Sequence, residues 1–130
     1  MSKRRLVFPG STGSNPGLST FWAACEERRL LVPHCRACGR AHWYPRAVCP
    51  HCASHELDWR EAKGEGVIYS FSAVPRGEPP YVIAYVTLAE GPTMLTNIVG
   101  DAATLRIGQT VRLRFVDSDG GPPLPVFAPR

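Results

Sequence analysis

The second half of the chain alternates short apolar runs with turn residues. Each run is rich in β-branched and aromatic side chains and has Gly, Pro or Asp close to its ends; the runs are residues 67–74, 81–88, 94–99, 111–116 and 124–127. In the fourth run, apolar residues alternate with arginines, which is the period of a strand with one buried and one solvated face. The pattern therefore predicts five short strands.

Five short strands must curl and close to cover their apolar face, and the OB-type barrel is the smallest common way to do so. The prolines around residues 124–127 are expected to confine that run to a sheet edge. Residues 101–106 lie between the third and fourth strands, where such a barrel carries a short helix or turn that plugs its bottom. We therefore expect residues 63–130 to form an OB-fold.

The first half of the chain has a different pattern. Residues 1–18 are rich in Lys, Arg, Gly, Ser and Pro, and we expect them to form a flexible N-terminal segment. A short helix is predicted over residues 21–29, with Phe21, Trp22 and Cys25 on one face that packs against the rest of the chain or a partner. The thiol on this face is interpreted as a small buried apolar group rather than a nucleophile.

Two cysteine pairs with matching spacing, Cys35-x2-Cys38 and Cys49-x2-Cys52, are the strongest chemical signal in the chain. Each pair can form a knuckle that turns two sulfurs toward one point, and two knuckles supply the four ligands at about 2.3 Å that structural zinc requires. Three predicted strands flank and join the knuckles, at residues 30–32, 41–44 and 57–60. Residues 19–62 are therefore expected to form the helix and a rubredoxin-like zinc ribbon.

The bound metal is expected to be zinc with a structural role. Iron is one alternative, because Cys38-Gly39 and Cys49-Pro50-x-Cys52 also look like rubredoxin knuckles, and disulfides are the other. Four thiolates leave no open coordination position, so the metal cannot activate a water molecule as catalytic zinc does. The histidines are then neighbours of the site rather than ligands: His34, His42, His51 and His55.

Composition and charge narrow the classes of function. With 44% apolar and 20% charged residues, the chain suits one compact unit or two small ones, and no apolar run is long enough to span a membrane. The N-terminus lacks the apolar stretch of a signal peptide, so we expect a cytoplasmic protein whose thiols stay reduced. Residues 1–60 carry nine Lys or Arg against four Asp or Glu, whereas residues 61–130 carry six against seven. An anionic ligand is therefore expected on the ribbon half.

Together the motifs resemble the DUF35 family, in which a rubredoxin-like zinc ribbon is joined to an acyl-CoA-associated OB-fold. The resemblance covers nearly all of residues 19–130. It rests on Cys35-x2-Cys38-Gly39, Tyr44-Pro45-Arg46, Cys49-Pro50-x-Cys52, Leu57-x-Trp59, Gly64-x-Gly66-x2-Tyr69-Ser70, Pro80-Tyr81-Val82, Gly91-Pro92 and Leu95-Thr96-Asn97-Ile98-Val99-Gly100. Tyr44 stands where the family often has a second proline.

The resemblance implies a non-catalytic accessory subunit, in a heteromeric complex with a thiolase, a ketoacyl synthase-like enzyme, an aldolase or sometimes a hydratase. In some members it implies contact with CoA or acyl-CoA. Arg36, Arg40 and Arg46 are candidates for the CoA phosphates, and Phe71, Tyr81 and Trp43 offer apolar surface for the adenine or pantetheine. The alternative for each arginine is a solvated surface charge without a ligand. The alternative for each aromatic residue is packing between the ribbon and the barrel.

Two other classes of function compete with the accessory subunit. A ribbon joined to an OB-fold also suggests a nucleic-acid-binding module, but residues 61–130, with six basic and seven acidic residues, lack the cationic track that phosphates need. An independent enzyme is disfavoured because no Ser-His-Asp set, paired carboxylates or phosphate loop is visible. We therefore expect partners of the acyl-CoA class rather than nucleic acid or membrane, with the nucleic-acid module as the alternative.

Overall fold

The computed structural model of the protein describes residues 6–7, 18–77 and 80–130. Its elements, in chain order, are β1 (Leu6–Val7), α1 (Leu18–Glu26), β2 (Leu31–Cys35), β3 (Leu57–Glu61), β4 (Glu65–Val74), β5 (Tyr81–Leu88), β6 (Thr93–Ile98), a 3-10 helix (Ala102–Thr104), β7 (Thr110–Asp119) and β8 (Gly121–Pro129). The mainly β fold with a short N-terminal helix is confirmed. Among these residues, no helix has the length and apolar character needed to cross a membrane.

Five of the strands close into the expected OB barrel. β4 pairs antiparallel with β5 and β7, β5 pairs antiparallel with β6, and β8 pairs antiparallel with β7. A single parallel pair, Ile98↔Phe127, joins β6 to β8 and completes the circle. Alternate side chains of β5, namely Val82, Ala84, Val86 and Leu88, are buried inside.

The predicted plug between the third and fourth barrel strands is the 3-10 helix. Asp101 caps it, because its Oδ1 accepts a hydrogen bond from the Ala103 amide at 3.0 Å. Leu105 follows directly and is buried in the barrel core. The segment therefore covers one end of the barrel with an apolar side chain.

The prediction that the last strand lies at a sheet edge was wrong. The antiparallel ladder of β8 with β7 runs from Val111↔Pro129 to Ser118↔Gly121, so the prolines interrupt it little. On its other side β8 makes only one pair with β6. Because proline has no N–H to donate, the four prolines of β8 shorten this second ladder rather than excluding β8 from the closed sheet.

The ribbon contains two strands rather than three. β2 and β3 pair antiparallel from Leu31↔Glu61 to Cys35↔Leu57. The strand predicted at residues 41–44 was wrong, since only Ala41 forms an isolated bridge, with His34. The Pro33 carbonyl accepts a hydrogen bond from the His42 amide at 3.1 Å. Because proline has no N–H, Pro33 cannot donate the reciprocal bond to His42, so the ladder ends there.

The helix is shifted toward the N-terminus by three residues relative to its prediction. It begins at Leu18 and ends at Glu26, before Arg28 adopts a left-handed φ of +57°. The expected apolar face exists, with Phe21 and Cys25 buried. This face packs on the chain's own core, and the helix lies against β8. Of the two alternatives, packing on the rest of the chain or on a partner, the structure therefore shows the first. Burial, followed by the charge of the adjacent glutamate, raises the pKa of Cys25 to about 12.

The ribbon base and the barrel share one apolar core. Phe21, Leu30 and Val32 belong to the same buried cluster as Ile68 and Phe127 of the barrel. The predicted boundary between the two units falls in the short link between β3 and β4. Most of the segment predicted to be flexible lies outside the described residues, apart from β1, which pairs parallel with β7, and the first helical residue.

Candidate functional site

The four predicted cysteines come together at one point. Their Sγ atoms all lie within 4.8 Å of one another. The separation is 3.6 Å between Cys35 and Cys52 and 3.7 Å between Cys38 and Cys49. A regular tetrahedron with metal–sulfur bonds of about 2.3 Å has edges of about 3.8 Å. The four thiolates are therefore positioned to hold one metal ion.

Both knuckles are built from the same backbone turn. The Gly39 amide donates to the Cys35 carbonyl at 2.9 Å, and the Ala53 amide donates to the Cys49 carbonyl at 2.9 Å. The residue after each second cysteine has positive φ, +77° for Gly39 and +65° for Ala53. Glycine adopts this conformation freely, whereas a Cβ crowds the backbone there. The second knuckle is therefore the more strained of the two.

Backbone amides also face the sulfurs. The Cys38 amide lies 3.5 Å from the Cys35 sulfur, and the His51 amide lies 3.3 Å from the Cys49 sulfur. The first of these contacts is the main cause that lowers the pKa of Cys35 to about 7. This amide donor therefore favours the thiolate form of Cys35. With four sulfur ligands, a bound ion has no open position for substrate or water.

The histidines lie outside this ligand cluster, as expected. His51 and His55 are exposed, and His34 lies with its Nδ1 3.7 Å from Asp58 Oδ1. His42 is different, because it is only 3% exposed. Burial, with the nearby charges of Arg46 and then His51, lowers the pKa of His42. Its ring is therefore neutral at physiological pH.

A groove separates the ribbon from the barrel and has a volume of about 760 Å³. We call it the ribbon–barrel groove. Its ribbon wall comes from residues 39–43 with Arg46 and Arg60, and its barrel wall comes from the β5–β6 turn, residues 90–93. The size falls in the range of small-molecule sites, which is about 300–1,000 Å³.

Free charge in the groove is positive. Among the described residues, the side chains of Arg40 and Arg46 have no hydrogen bond or ion pair, and Arg60 lies 3.6 Å from the Asp58 carboxylate. Of the groove's two acidic residues, Glu61 is ion-paired, whereas Glu90 accepts from a backbone amide. Glu61 accepts from Arg29 at 2.9 Å, and Oε2 of Glu90 accepts from the Lys63 amide at 2.9 Å.

The residues predicted to contact a ligand lie in three different parts of the structure. Arg40 and Arg46 line the groove, whereas Arg36 is exposed outside its lining. Phe71 packs against the barrel core, and Tyr81 is half-buried at the start of β5, away from the groove lining. Trp43, the third aromatic candidate, also lines the groove. Arg60 and Glu90 were missed. They are distant in sequence, so no local spacing indicates that they meet.

The outer surface of β4, β5 and β6 forms a second feature. Except for Glu65, no residue of these three strands is charged. Five of the seven exposed large apolar side chains of the described residues lie there: Val67, Tyr69, Ile83, Tyr85 and Leu95. We call this surface the apolar sheet face. Tyr85 pairs directly with Leu95 across the strands, and Tyr69 is 66% exposed at the bulge beside them.

Family models match most of the described chain. Residues 22–58 match the rubredoxin-like zinc ribbon domain of ChsH2, and residues 59–116 match the C-terminal OB-fold domain of ChsH2. A DUF35 domain-containing scaffold protein of Methanothermobacter thermautotrophicus is 34% identical over 72% of this chain and 77% of its own length. The corresponding scaffold protein of Methanocaldococcus jannaschii is 33% identical over 60% of this chain and 61% of its own length.

One relative is longer than this chain. A probable enoyl-CoA hydratase alpha subunit of Thermomonospora curvata is 40% identical over 85% of this chain but only 37% of its own length. The chain thus spans about a third of that subunit. Among solved structures, the Ltp2-ChsH2(DUF35) aldolase contains a chain that matches with a TM-score of 0.80 and 36% identity, over 92% of this chain and 98% of that one. A DUF35 protein of Sulfolobus solfataricus, at 17% identity and a TM-score of 0.67, supports the fold alone.

Proposed function

Because this chain belongs to the DUF35 family of zinc-ribbon and OB-fold proteins, we propose that it is a non-catalytic, zinc-binding accessory subunit of an enzyme in acyl-CoA metabolism. In this proposal the subunit docks on and stabilises a thiolase, a ketoacyl synthase-like enzyme or an aldolase, and it contacts the acyl-CoA. The reaction takes place on the partner. The names of the relatives, an aldolase complex and a hydratase subunit, support this class of partner.

The apolar sheet face is the observation that carries the docking proposal. Three adjacent strands without charge beyond Glu65, with five exposed apolar side chains, contrast with β7, which carries Arg112, Arg114, Asp117 and Asp119. Contiguous apolar patches of a few hundred Å² on a soluble protein mark interaction sites. Tyrosine and large aliphatic side chains, surrounded by Ser, Thr and Asn, are typical of the centre and rim of a protein interface.

The metal has a structural role in the proposed function. Zinc fits four thiolates and a role without redox chemistry, and its binding energy is folding energy for the ribbon. The residues that hold it are Cys35, Cys38, Cys49 and Cys52. The ion fixes the loops of the ribbon relative to the barrel, and thereby the ribbon wall of the groove.

The nucleic-acid alternative gains no support from the sheet. OB-folds that bind oligonucleotides use the face of their second and third strands, which are β5 and β6 here. No residue of these two strands is charged. Binding to a phosphate backbone depends on Lys and Arg contacts, so this face is unsuited to it.

The test is to purify the tagged chain from its native host and to identify what comes with it by mass spectrometry. An enzyme of acyl-CoA metabolism in a stoichiometric complex is the expected result. The partner, expressed alone, should be less stable or less active than the complex. Full stability and activity of the partner alone, or recovery of ribosomal or transcription proteins in its place, would contradict the proposal.

A further inference from the structure

The ribbon sheet has one free edge. It contains only β2 and β3, and the other side of β2 is occupied by the bridge from His34 to Ala41. Among the described residues, no strand pairs with the outer side of β3. The edge of a sheet presents a row of backbone N–H and C=O groups with which another chain can pair. The outer side of β3 is therefore a candidate site for such pairing.

The hydrogen bonds of the ribbon sheet determine which backbone groups of β3 face outward. Directly beyond Glu61, the Ala62 amide donates to the Leu30 carbonyl at 2.8 Å. Pairs that exchange hydrogen bonds alternate along an antiparallel ladder with pairs that do not. Glu61 and Trp59 fall in the second class, and Trp59 indeed lies opposite Pro33, which has no N–H. The N–H and C=O groups of Trp59 and Glu61 therefore point away from β2, and no backbone partner for them occurs among the described residues.

A pocket of about 200 Å³ lies beside this edge, and we call it the ribbon pocket. It is enclosed by loop residues 45–47, by residues 57–59 of β3 and by Pro33. The two prolines of its lining are buried, and Leu57 and Trp59 are half-buried, so its walls are mainly apolar. Small-molecule sites measure about 300–1,000 Å³. The ribbon pocket is smaller, and its size suits one apolar side chain rather than a cofactor.

The unpaired charge at the ribbon pocket is positive. Asp58 lies 3.6 Å from the Arg60 guanidinium, and Glu61 accepts from Arg29 at 2.9 Å. Arg46 is an exposed residue of the pocket lining, and its side chain has no hydrogen bond or ion pair with any described residue. A carboxylate is the group that complements a free guanidinium, because the two form charge-assisted hydrogen bonds.

We propose that an extended segment of the partner enzyme adds to β3 as a third strand of the ribbon sheet. Its backbone pairs with Trp59 and Glu61, one of its apolar side chains fills the ribbon pocket, and an acidic side chain beside it pairs with Arg46. In strand addition, the main chain supplies affinity, and pockets for alternate side chains supply specificity. The inference rests on the proposed accessory role and adds a second contact to that of the apolar sheet face.

A second copy of this chain is the other candidate strand, and it fits less well. Two β3 strands paired about a twofold axis carry their equivalent side chains on the same face. Both copies of Arg46 then lie on that face without a free carboxylate between them, because Glu61 already binds Arg29. Charged residues also occupy three of the five positions of β3, a composition by which edge strands avoid indiscriminate pairing.

Hydrogen exchange of the zinc-loaded chain, alone and in its copurified complex, tests the strand pairing. In the free chain the amides of Trp59 and Glu61 should exchange rapidly, whereas the Arg60 amide, which faces β2, should be protected. In the complex the first two amides should exchange at least about tenfold more slowly. Unchanged exchange at both residues in a complex that contains the enzyme overturns the inference but leaves the accessory role intact. Failure of any enzyme to copurify refutes the accessory role and the inference with it.

Glu61→Pro removes one outward amide without removing a hydrogen bond to β2. Proline is tolerated on a strand edge where its missing N–H faces solvent. The matched control is Glu61→Gln, which keeps the amide but removes the charge that binds Arg29. Glu61→Pro should weaken partner affinity about tenfold or more, and Glu61→Gln should stay within about twofold of wild type. Equal affinities of the two variants contradict pairing at this edge.

Ala47→Leu tests the ribbon pocket separately. Ala47 is an exposed residue of its lining, so a larger side chain there should occupy the pocket and leave zinc content and melting temperature unchanged. Partner affinity should fall about tenfold, whereas Ala37→Leu, at an exposed position outside the lining, should keep it within about twofold. Wild-type affinity in Ala47→Leu overturns the pocket contact. A dimer of the free chain in sedimentation, abolished by Glu61→Pro, would assign the edge to a second copy and overturn the inference.

Discussion

Gly39 and Ala53 hold the same place in the two cysteine knuckles but differ by one methyl group. Both have positive φ, where an L side chain is strained. We predict that Ala53→Gly stabilises the zinc-loaded protein by about 0.5–1 kcal/mol, because relief of this strain exceeds the added freedom of the unfolded chain. Urea unfolding at fixed zinc concentration measures the change.

Ala37→Gly and Gly39→Ala are the matched controls. Ala37 is exposed in the first knuckle and does not have positive φ, so glycine there should only destabilise. Gly39→Ala has no neighbouring atom within 4 Å of the added Cβ, so it should cost about 1 kcal/mol through backbone strain alone. A loss of stability in Ala53→Gly equal to that in Ala37→Gly would show that the second knuckle is unstrained.

His42 gives the protein a pH dependence whose sign follows from burial. Its pKa is lowered in the folded state, so protonation favours the unfolded chain. The contribution of the neutral ring is complete above the unfolded pKa of about 6.5 and is lost as the pH falls through the lower folded value. We predict that the difference in unfolding free energy between wild type and His42→Gln shifts in favour of the variant between pH 7.5 and pH 5.5.

Zinc-buffered urea titrations at the two pH values measure this difference. Protonation of the thiolates affects both proteins alike and therefore cancels. A difference that does not change with pH would mean that His42 titrates normally despite its burial.

At the scale of elements, the sequence predicted the barrel better than the ribbon. Strand β5 was located to the residue because Pro80 precedes it and its apolar alternation is regular. The strand predicted at residues 41–44 failed because Pro33, on the neighbouring strand, cannot donate the bond that the ladder needs. Helix α1 begins at Leu18, three residues earlier than predicted, and it lies against β8, a contact between distant parts of the chain that local propensity does not encode.

Loss of the metal should unfold one part of the molecule, the ribbon loops, and leave the barrel folded. Cys49→Ser removes one of four ligands, and we predict loss of the metal and of amide protection in the loops between β2 and β3. Structural zinc contributes about 10 kcal/mol or more to such units, and these loops contribute little to the core. Strands β4 to β8 should keep their protection in hydrogen exchange, because the buried core that they share with the ribbon base includes no residue of these loops.

Cys25→Ser is the control, because this cysteine is buried outside the ligand cluster. It should retain one metal ion per chain by elemental analysis and lose about 1–3 kcal/mol, the cost of burying a hydroxyl. Metal loss in this variant, or retention in Cys49→Ser, would contradict the four-cysteine assignment. Elemental analysis also separates zinc from iron, whose ferric thiolate form is red.

At the scale of the whole molecule, the two candidate binding surfaces differ in how far sequence could reveal them. The apolar sheet face is visible in sequence, since residues 67–74, 81–88 and 93–98 carry no charge. The ribbon–barrel groove is not, because Arg40, Arg60 and Glu90 meet only when the ribbon packs on the barrel. The charge balance of the sequence predicted an anionic ligand on the ribbon half, but it gave no indication of which barrel residues lie opposite.

Docking through the apolar sheet face can be tested by substituting one exposed side chain at its centre. Tyr85 is 48% exposed and pairs with Leu95 at the centre of the face, so Tyr85→Glu places a charge where the interface would be driest. We predict a loss of partner affinity of about 30-fold or more, which is about 2 kcal/mol, with little change in melting temperature. Titration of the purified partner enzyme by interferometry measures it.

Ile107→Glu is the matched control for this substitution. Ile107 is 72% exposed, more than any member of the apolar sheet face, but it lies in the turn before β7. The same change of an exposed apolar side chain to a carboxylate should leave partner affinity within about twofold, because isolated exposed apolar residues are common and carry no interface. If Ile107→Glu abolishes binding and Tyr85→Glu does not, the partner docks near the barrel bottom and the apolar sheet face has another use.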